Sequence, residues 1–264
     1  VTNTLQLLAE GATIPFIARY RKEKTNSLDE LEIRNIFERF NYLTELTARK
    51  ETILEAIASQ KKLTEELKKQ IESCLLKTEL EDLYLPYKPK RRTRATIAKE
   101  KGLESLALLI QSWNQPKVNA GSLIEEAAKY ISPEKEIKTA EEALNGASDI
   151  LAEMVSEKAN LRAYLREYLL SKGVFLSQIK EEYLEGSTKF EMYRNYEISI
   201  KKILPHSILA LFRGESEGIL SVDLGFDEAE VSSYLEFEEI KTKNLELKQF
   251  YRSMLKDALN RLMK

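Results

Sequence analysis

A chain of 264 residues and 30.4 kDa suits one large domain or two ordinary ones, and it buries enough surface to need no disulfide or metal staple. Charged residues make up 32% and hydrophobic residues 43%, with a formal net charge of −2 at pH 7, the profile of a globular chain with a charged surface. Nine Gly and six Pro are too few for an all-β sandwich, and one Cys with one His excludes a disulfide framework and the usual zinc clusters. No apolar run approaches the roughly 18 residues of a membrane span, and the opening residues lack a signal-peptide pattern. The chain therefore reads as cytoplasmic and mostly helical. Its net charge hides an asymmetry. Residues 1–110 are net positive and residues 111–264 net negative. Between Lys88 and Lys101 seven bases stand with one acid, Glu100, and between Gly214 and Glu239 nine acids stand with no base. The acidic stretch reads as a solvated face.

Residues 1–10 form a short predicted helix closed by Gly11, and Pro15 suits the first turn of the next. Ser27 with Glu30 makes a capping box for the longest periodic segment. Leu28, Leu31, Ile36, Phe40, Leu43, Leu46, Ile53, Leu54 and Ile57 then give one apolar stripe on a helix of about thirty residues, roughly 45 Å long. Such a helix is a strut, expected to pack against helices at 140–157 and 160–171. Thr64 starts another helix, and Thr78 with Glu81 makes a second capping box in one that ends before Pro86.

The segment Leu85-Pro86-Tyr87-Lys88-Pro89-Lys90-Arg91-Arg92-Thr93 follows. Its two prolines forbid helix and hold the cations on an extended connector. Thr93 caps a helix over 94–101, Gly102 supplies a left-handed turn, and 103–113 is the next helix. With Ile97, Ala98, Leu103, Leu106 and Leu109 as apolar positions, this reads as a helix-turn-helix, a pattern that all-α proteins also use as a plain hairpin. The basic connector beside it favours phosphate contact, which Lys and Arg on extended backbone supply. The second helix opens with Glu104 and adds only Ser105 and Gln111 as polar residues, so contact without base reading is expected.

Ser122 with Glu125 and Thr139 with Glu142 cap further helices, and Ser132-Pro133 opens another. Helices over 140–157 and 160–171 follow, the latter stopped by Gly173. Two segments read as strands, 174–179 and 220–226; in the second, Leu220, Val222, Leu224 and Phe226 alternate with Ser221, Asp223 and Gly225. They are expected to pair as the single sheet, with the span between them, Gly186-Ser187-Thr188 included, as loop. Asp227 with Glu230 caps a helix, and 247–263 closes the chain as an amphipathic one. The predicted class is mainly α: an elongated multihelical body over 1–61 and 115–264, a helix-turn-helix-like insertion over 62–114, and one two-stranded β element.

Catalytic signatures are missing: no Gly-rich phosphate loop, paired His, nucleophile elbow or Cys-x-x-Cys occurs. His206, in Leu204-Pro205-His206-Ser207, reads as a structural hydrogen-bonding residue rather than a general base. Cys74, among Ile71, Leu75 and Leu76, reads as a buried inert thiol. Arg213, in Phe212-Arg213-Gly214-Glu215-Ser216-Glu217-Gly218, either pins a turn through a bidentate pair with Glu217, the favoured reading, or reaches a ligand. The chain is read as a non-enzyme with no metal, no cofactor and no small-molecule substrate.

Three strings closely resemble motifs of the bacterial Tex family of transcription accessory proteins. They are Glu10-Gly11-Ala12-Thr13-Ile14-Pro15-Phe16-Ile17-Ala18-Arg19-Tyr20-Arg21-Lys22-Glu23, the stretch from Leu80-Glu81-Asp82-Leu83-Tyr84 through the connector to Thr93, and Leu209-Ala210-Leu211-Phe212-Arg213-Gly214 with Glu217-Gly218. They keep the family's order and comparable spacing, so the resemblance covers nearly the whole chain. The residue after the His of the third motif, commonly Arg in the family, is Ser207 here. The resemblance implies an all-α N-terminal region with a helix-turn-helix, nucleic-acid association, a link to transcription, and similarity to the core of a eukaryotic elongation factor that chaperones histones. It also implies a region truncated before ribonuclease-H-like, helix-hairpin-helix and S1 RNA-binding domains.

Two functions follow. In the first, the region contacts DNA or RNA without sequence preference, with Lys88, Lys90, Arg91, Arg92 and Arg94 on phosphates and Arg19, Arg21 and Lys22 joining them. It then positions downstream RNA-binding domains, with proteins of the transcription machinery as further partners. In the second, it is a helical scaffold that docks a protein partner, and its cations pair with its own acids. Solvent-facing cations favour the first, and buried pairing favours the second.

Overall fold

Residues 1–89, 92–118 and 120–263 are described by the computed structural model, and helices dominate them. Their contacts separate two units, Val1–Lys88 and Pro89–Lys264. The segment 62–114 is shared between them, since residues up to Lys88 belong to the first and the rest to the second.

The first unit holds α1 (Thr2–Ala9), α2 (Ile14–Tyr20), α3 (Lys22–Thr25), α4 (Glu30–Ser59), α5 (Glu65–Ser73) and α6 (Lys77–Tyr84). Gly11 takes φ +88° between α1 and α2, a conformation that favours glycine. The long helix is present, but its capping box lies two residues beyond the expected Ser27–Glu30 pair. Asn26 and Ser27 occupy the left-handed region, so the chain is still turning there. Asp29 then accepts the Glu32 N–H at 2.8 Å, and Glu32 accepts the Asp29 N–H at 2.9 Å. The stripe of α4 splits into two buried patches, Ile33 with Leu7 and Ile17, and Leu46, Ile53 and Ile57 with Ile71, Cys74, Leu80 and Tyr84. Its partners are thus α1 and α2 at one end and α5 and α6 at the other. The expected partners, helices at 140–157 and 160–171, bury their apolar residues in the core of the second unit instead. Thr64 caps α5 as expected. Thr78 caps nothing: α6 starts at Lys77, and the Glu81 carboxylate is engaged by Arg49 of α4 at 2.7 and 3.1 Å.

The second unit begins with α7 (Arg94–Glu100), α8 (Glu104–Trp113), α9 (Leu123–Ala128), α10 (Ala140–Ser156) and α11 (Ala159–Lys172). It continues through β1 (Val174–Ile179), β2 (Asn195–Ser199), α12 (Pro205–Ser216), β3 (Leu220–Gly225), α13 (Glu228–Glu239) and α14 (Leu245–Leu262). Ser122, Thr139 and Asp227 cap their helices as the sequence predicts, while Ser132-Pro133 opens only one 3-10 turn. Helix α10 is the hub, in contact with α7, α8, α9, α11 and α14. Its buried Ala140, Ala143 and Ala147 let the neighbours approach closely. At Gly146 a Cβ would collide with buried Leu103, which follows α7.

The sheet has three antiparallel strands in the order β2-β1-β3, with Val174 opposite both Ser199 and Gly225. The expected pairing of 174–179 with 220–226 is present, and the expectation of two strands is corrected to three. Asn195-Tyr196-Glu197-Ile198-Ser199, expected as loop, alternates polar and apolar residues and fills the other edge. Helix α12 packs on the sheet over a core of Ile179, Phe190, Tyr193, Leu211 and Leu220.

Candidate nucleic-acid interface

The candidate site begins with Thr93. Its hydroxyl accepts the Thr96 N–H at 3.0 Å and donates to the buried carboxylate of Glu153, on α10, at 2.9 Å. Together with the packing of Ala95 and Ala98 in the core, this fixes where α7 starts and sends Arg92 and Arg94 outward. Gly102, at φ +84°, turns the chain into α8, which buries Leu106, Ala107 and Ile110. Glu104, Ser105 and Gln111 are exposed on the other face. The helix, glycine turn and helix therefore stand as expected, and the outer face of α8 offers no cation.

Arg92 and Arg94 are 70% and 65% exposed. Both are ion-paired within their own unit. Arg92 reaches Glu100 at 3.0 Å, and Arg94 reaches Asp149 at 3.3 Å and Asp257 at 2.9 Å. Arg261 binds the same two carboxylates at 2.6 Å each, which makes an alternating quartet of two guanidiniums and two carboxylates across α7, α10 and α14. Lys101 lies 3.6 Å from Glu136 and Lys99 3.8 Å from Glu104. Lys90 and Arg91 lie outside the described residues. Sequence reasoning missed Asp149, Asp257 and Arg261. The spacing of Asp257 and Arg261, one helical turn apart, was a legible pair, whereas Asp149 comes from a distant helix.

In the first unit, Lys88, Arg19 and Lys22 are exposed. Arg21 is half-buried, with its guanidinium over the Phe16 ring at 5.2 Å and a hydrogen bond to the Tyr20 carbonyl at 3.2 Å.

The Arg213–Glu217 pair is not formed. Helix α12 runs through Ser216, so Arg213 stands exposed on a helix rather than in a turn. Glu217 pairs with Lys189 at 2.9 Å. His206 is exposed in the first turn of α12. Cys74 is buried, its Sγ donates to the Leu76 carbonyl at 3.2 Å, and burial raises the thiol pKa. Among the described residues no group of three or more His, Cys, Asp and Glu could hold a metal ion. No helix among them is long and apolar enough to cross a membrane.

The fold is that of a multihelical protein region whose candidate site is an ionic surface. The family model described as Tex central region-like matches residues 121–259, and the Tex-like protein N-terminal domain matches residues 1–58. The chain belongs to the Tex family. It is 41% identical over 264 residues to the uncharacterized protein YdcI of Bacillus subtilis (strain 168), covering 100% of this chain and 36% of that protein. With the transcriptional accessory protein Tex of Neisseria gonorrhoeae it shares 40% identity over 242 residues, 91% of this chain and 31% of the relative. The human S1 RNA-binding domain-containing protein 1 is 28% identical over 234 residues, 86% of this chain and 23% of that protein. The chain thus spans about a quarter to a third of the length of these curated relatives.

Proposed function

We propose that this chain is the part of a cytoplasmic transcription accessory protein that touches the phosphate backbone of DNA or RNA without reading sequence, while its helical body positions the RNA-binding domains of a longer protein. One observation carries this reading. Arg92 stands just before a capped helix start and is 70% exposed, in sequence continuity with Lys88, Lys90 and Arg91. Exposed ion pairs contribute only about 0–1 kcal/mol, so a phosphate can replace the carboxylate that Arg92 now holds. The cation-free outer face of α8 supports contact without base recognition. The names of the relatives, which speak of transcription and of S1 RNA binding, agree with it.

The test is a salt titration of binding to duplex and single-stranded oligonucleotides. Replacing Lys90, Arg91 and Arg92 by Ala should weaken binding about equally for every duplex sequence and flatten the log–log salt slope by up to ~3 × 0.9. A variant with the parent's affinity and slope would overturn this reading. It would leave the second one, a scaffold that docks protein partners, which the neutralised quartet around Arg94 favours.

A further inference from the structure

One edge of the sheet is open. In the order β2-β1-β3, β1 occupies the inner edge of β3, and among the described residues no strand lies on the other side. A free edge presents a row of N–H and C=O groups that another chain can pair with. Val222, Asp223 and Leu224, three successive residues of β3, all line one groove of about 760 Å³. Successive strand residues point to opposite faces, so a groove touching all three reaches the strand edge, and Phe175 of β1, opposite Leu224, carries it onto the face that α12 covers.

The walls of this groove are apolar and its charges have one sign. Phe212 of α12 stands on one side and Met263, just beyond α14, on another. Phe212 is 50% exposed and Leu224 37% exposed, a large apolar area to leave in water. Every ionisable side chain that lines the groove is an acid: Glu215, Asp223 and Glu228. They belong to the stretch between Gly214 and Glu239 that carries nine acids and no base. A phosphate backbone is repelled by such a rim, whereas Lys and Arg are attracted to it.

We propose that this groove takes an extended peptide segment of a protein partner, added as a fourth strand beside β3, with alternating apolar and basic side chains. Main-chain hydrogen bonds to β3 supply affinity, and the alternation supplies specificity. One set of side chains covers Phe212, Leu224 and Met263 on the face that α12 covers, where Glu215 also stands, and the other meets Asp223 on the opposite face.

The test uses the 264-residue chain and fluorescein-labelled peptides of about eight residues, a typical strand length. The first peptide alternates Val and Lys, the second has Pro at two of its Val positions, and the third has Glu in place of Lys. Fluorescence anisotropy reads binding, and hydrogen exchange reads the amides of residues 220–225. The Val-Lys peptide should bind and slow exchange in β3. The Pro peptide should bind at least about tenfold more weakly, because proline lacks the N–H the ladder needs, and the Glu peptide should not bind. A Glu215→Lys/Asp223→Lys chain with unchanged circular dichroism should lose at least about tenfold in affinity for the Val-Lys peptide. Should that variant fail to fold, the peptide series alone decides. Absence of binding by the Val-Lys peptide, equal binding of the Pro peptide, or unprotected β3 amides in the complex would each overturn the proposal, as would displacement of the peptide by an oligonucleotide.

Discussion

The side-chain amide of Asn114 donates to the backbone carbonyl of Glu239 at 2.6 Å, and its Oδ1 accepts the N–H groups of Lys241 and Thr242 at 2.9 and 3.1 Å. One buried side chain thereby ties the end of α8 to the link between α13 and α14, where Glu239 and Thr242 are buried. In Asn114→Ala the three backbone groups lose these partners. The expected cost is about 3 kcal/mol, read as a lower denaturant midpoint with an unchanged slope. A midpoint equal to the parent's would refute it.

Arg49 and Glu81 join α4 to α6 through two hydrogen bonds. The Arg49 guanidinium holds the Glu81 carboxyl below its ordinary value of 4.5. A depressed carboxylate pKa contributes stability above the unfolded value and loses it as pH falls through the folded one. Glu81→Gln should therefore be less stable than the parent at neutral pH, with the gap narrowing as pH drops below about 4.5. Both side chains are about a third exposed, so the gap should be small and shrink in salt. A gap that stays constant from neutral pH into acid would contradict the assignment.

Tyr168 donates to Glu230 at 2.9 Å. Burial first, and then this bond to a carboxylate, push its phenol up from 10.0 to about 12. A raised acid pKa favours the protonated folded state, so its contribution falls as pH rises from the unfolded value toward the folded one. Tyr168→Phe lacks the hydrogen bond, worth about 1 kcal/mol, but it also lacks this alkaline loss. Denaturation midpoints of the two chains should converge as pH rises above 10, and parallel curves would count against the bond.

The quartet makes Arg94 different from its neighbours on the connector. Asp149 and Asp257 already neutralise it, and Arg261 remains to bind both if it is removed. Arg94→Ala should leave the salt slope of nucleic-acid binding within ~0.3 of the parent's, against the larger flattening expected from the connector cations. A drop near a full phosphate's worth, about 0.9, would place Arg94 on the nucleic acid.

What could be read from the sequence was local. The caps at Thr64, Thr93, Ser122, Thr139 and Asp227 depend on hydrogen bonds three residues apart, and the Gly102 turn depends on one φ angle. Ser27 misled because it has the right spacing to Glu30 but the wrong backbone conformation, which composition does not display. Strand β2 carried its alternation openly, yet five residues beside a polar loop compete poorly with stronger signals. The ionic contacts were the least legible. Glu217 stands four residues from Arg213, the spacing of a helical pair, but Lys189, 28 residues away, holds it. Arg94 meets Asp257 across 163 residues, a distance at which pattern carries no information and only packing around α10 decides.

Because α14 is among the chief partners of α10, the core of the second unit is completed only after the whole stretch between these two helices has been made. At 5–20 residues per second on a ribosome, α10 waits roughly 5–20 s between its own synthesis and that of α14. For that interval its face of Ile150, Leu151 and Val155 is only partly covered, and the nascent chain is open to chaperones and proteases. A premature stop before Leu245 would make that exposure permanent.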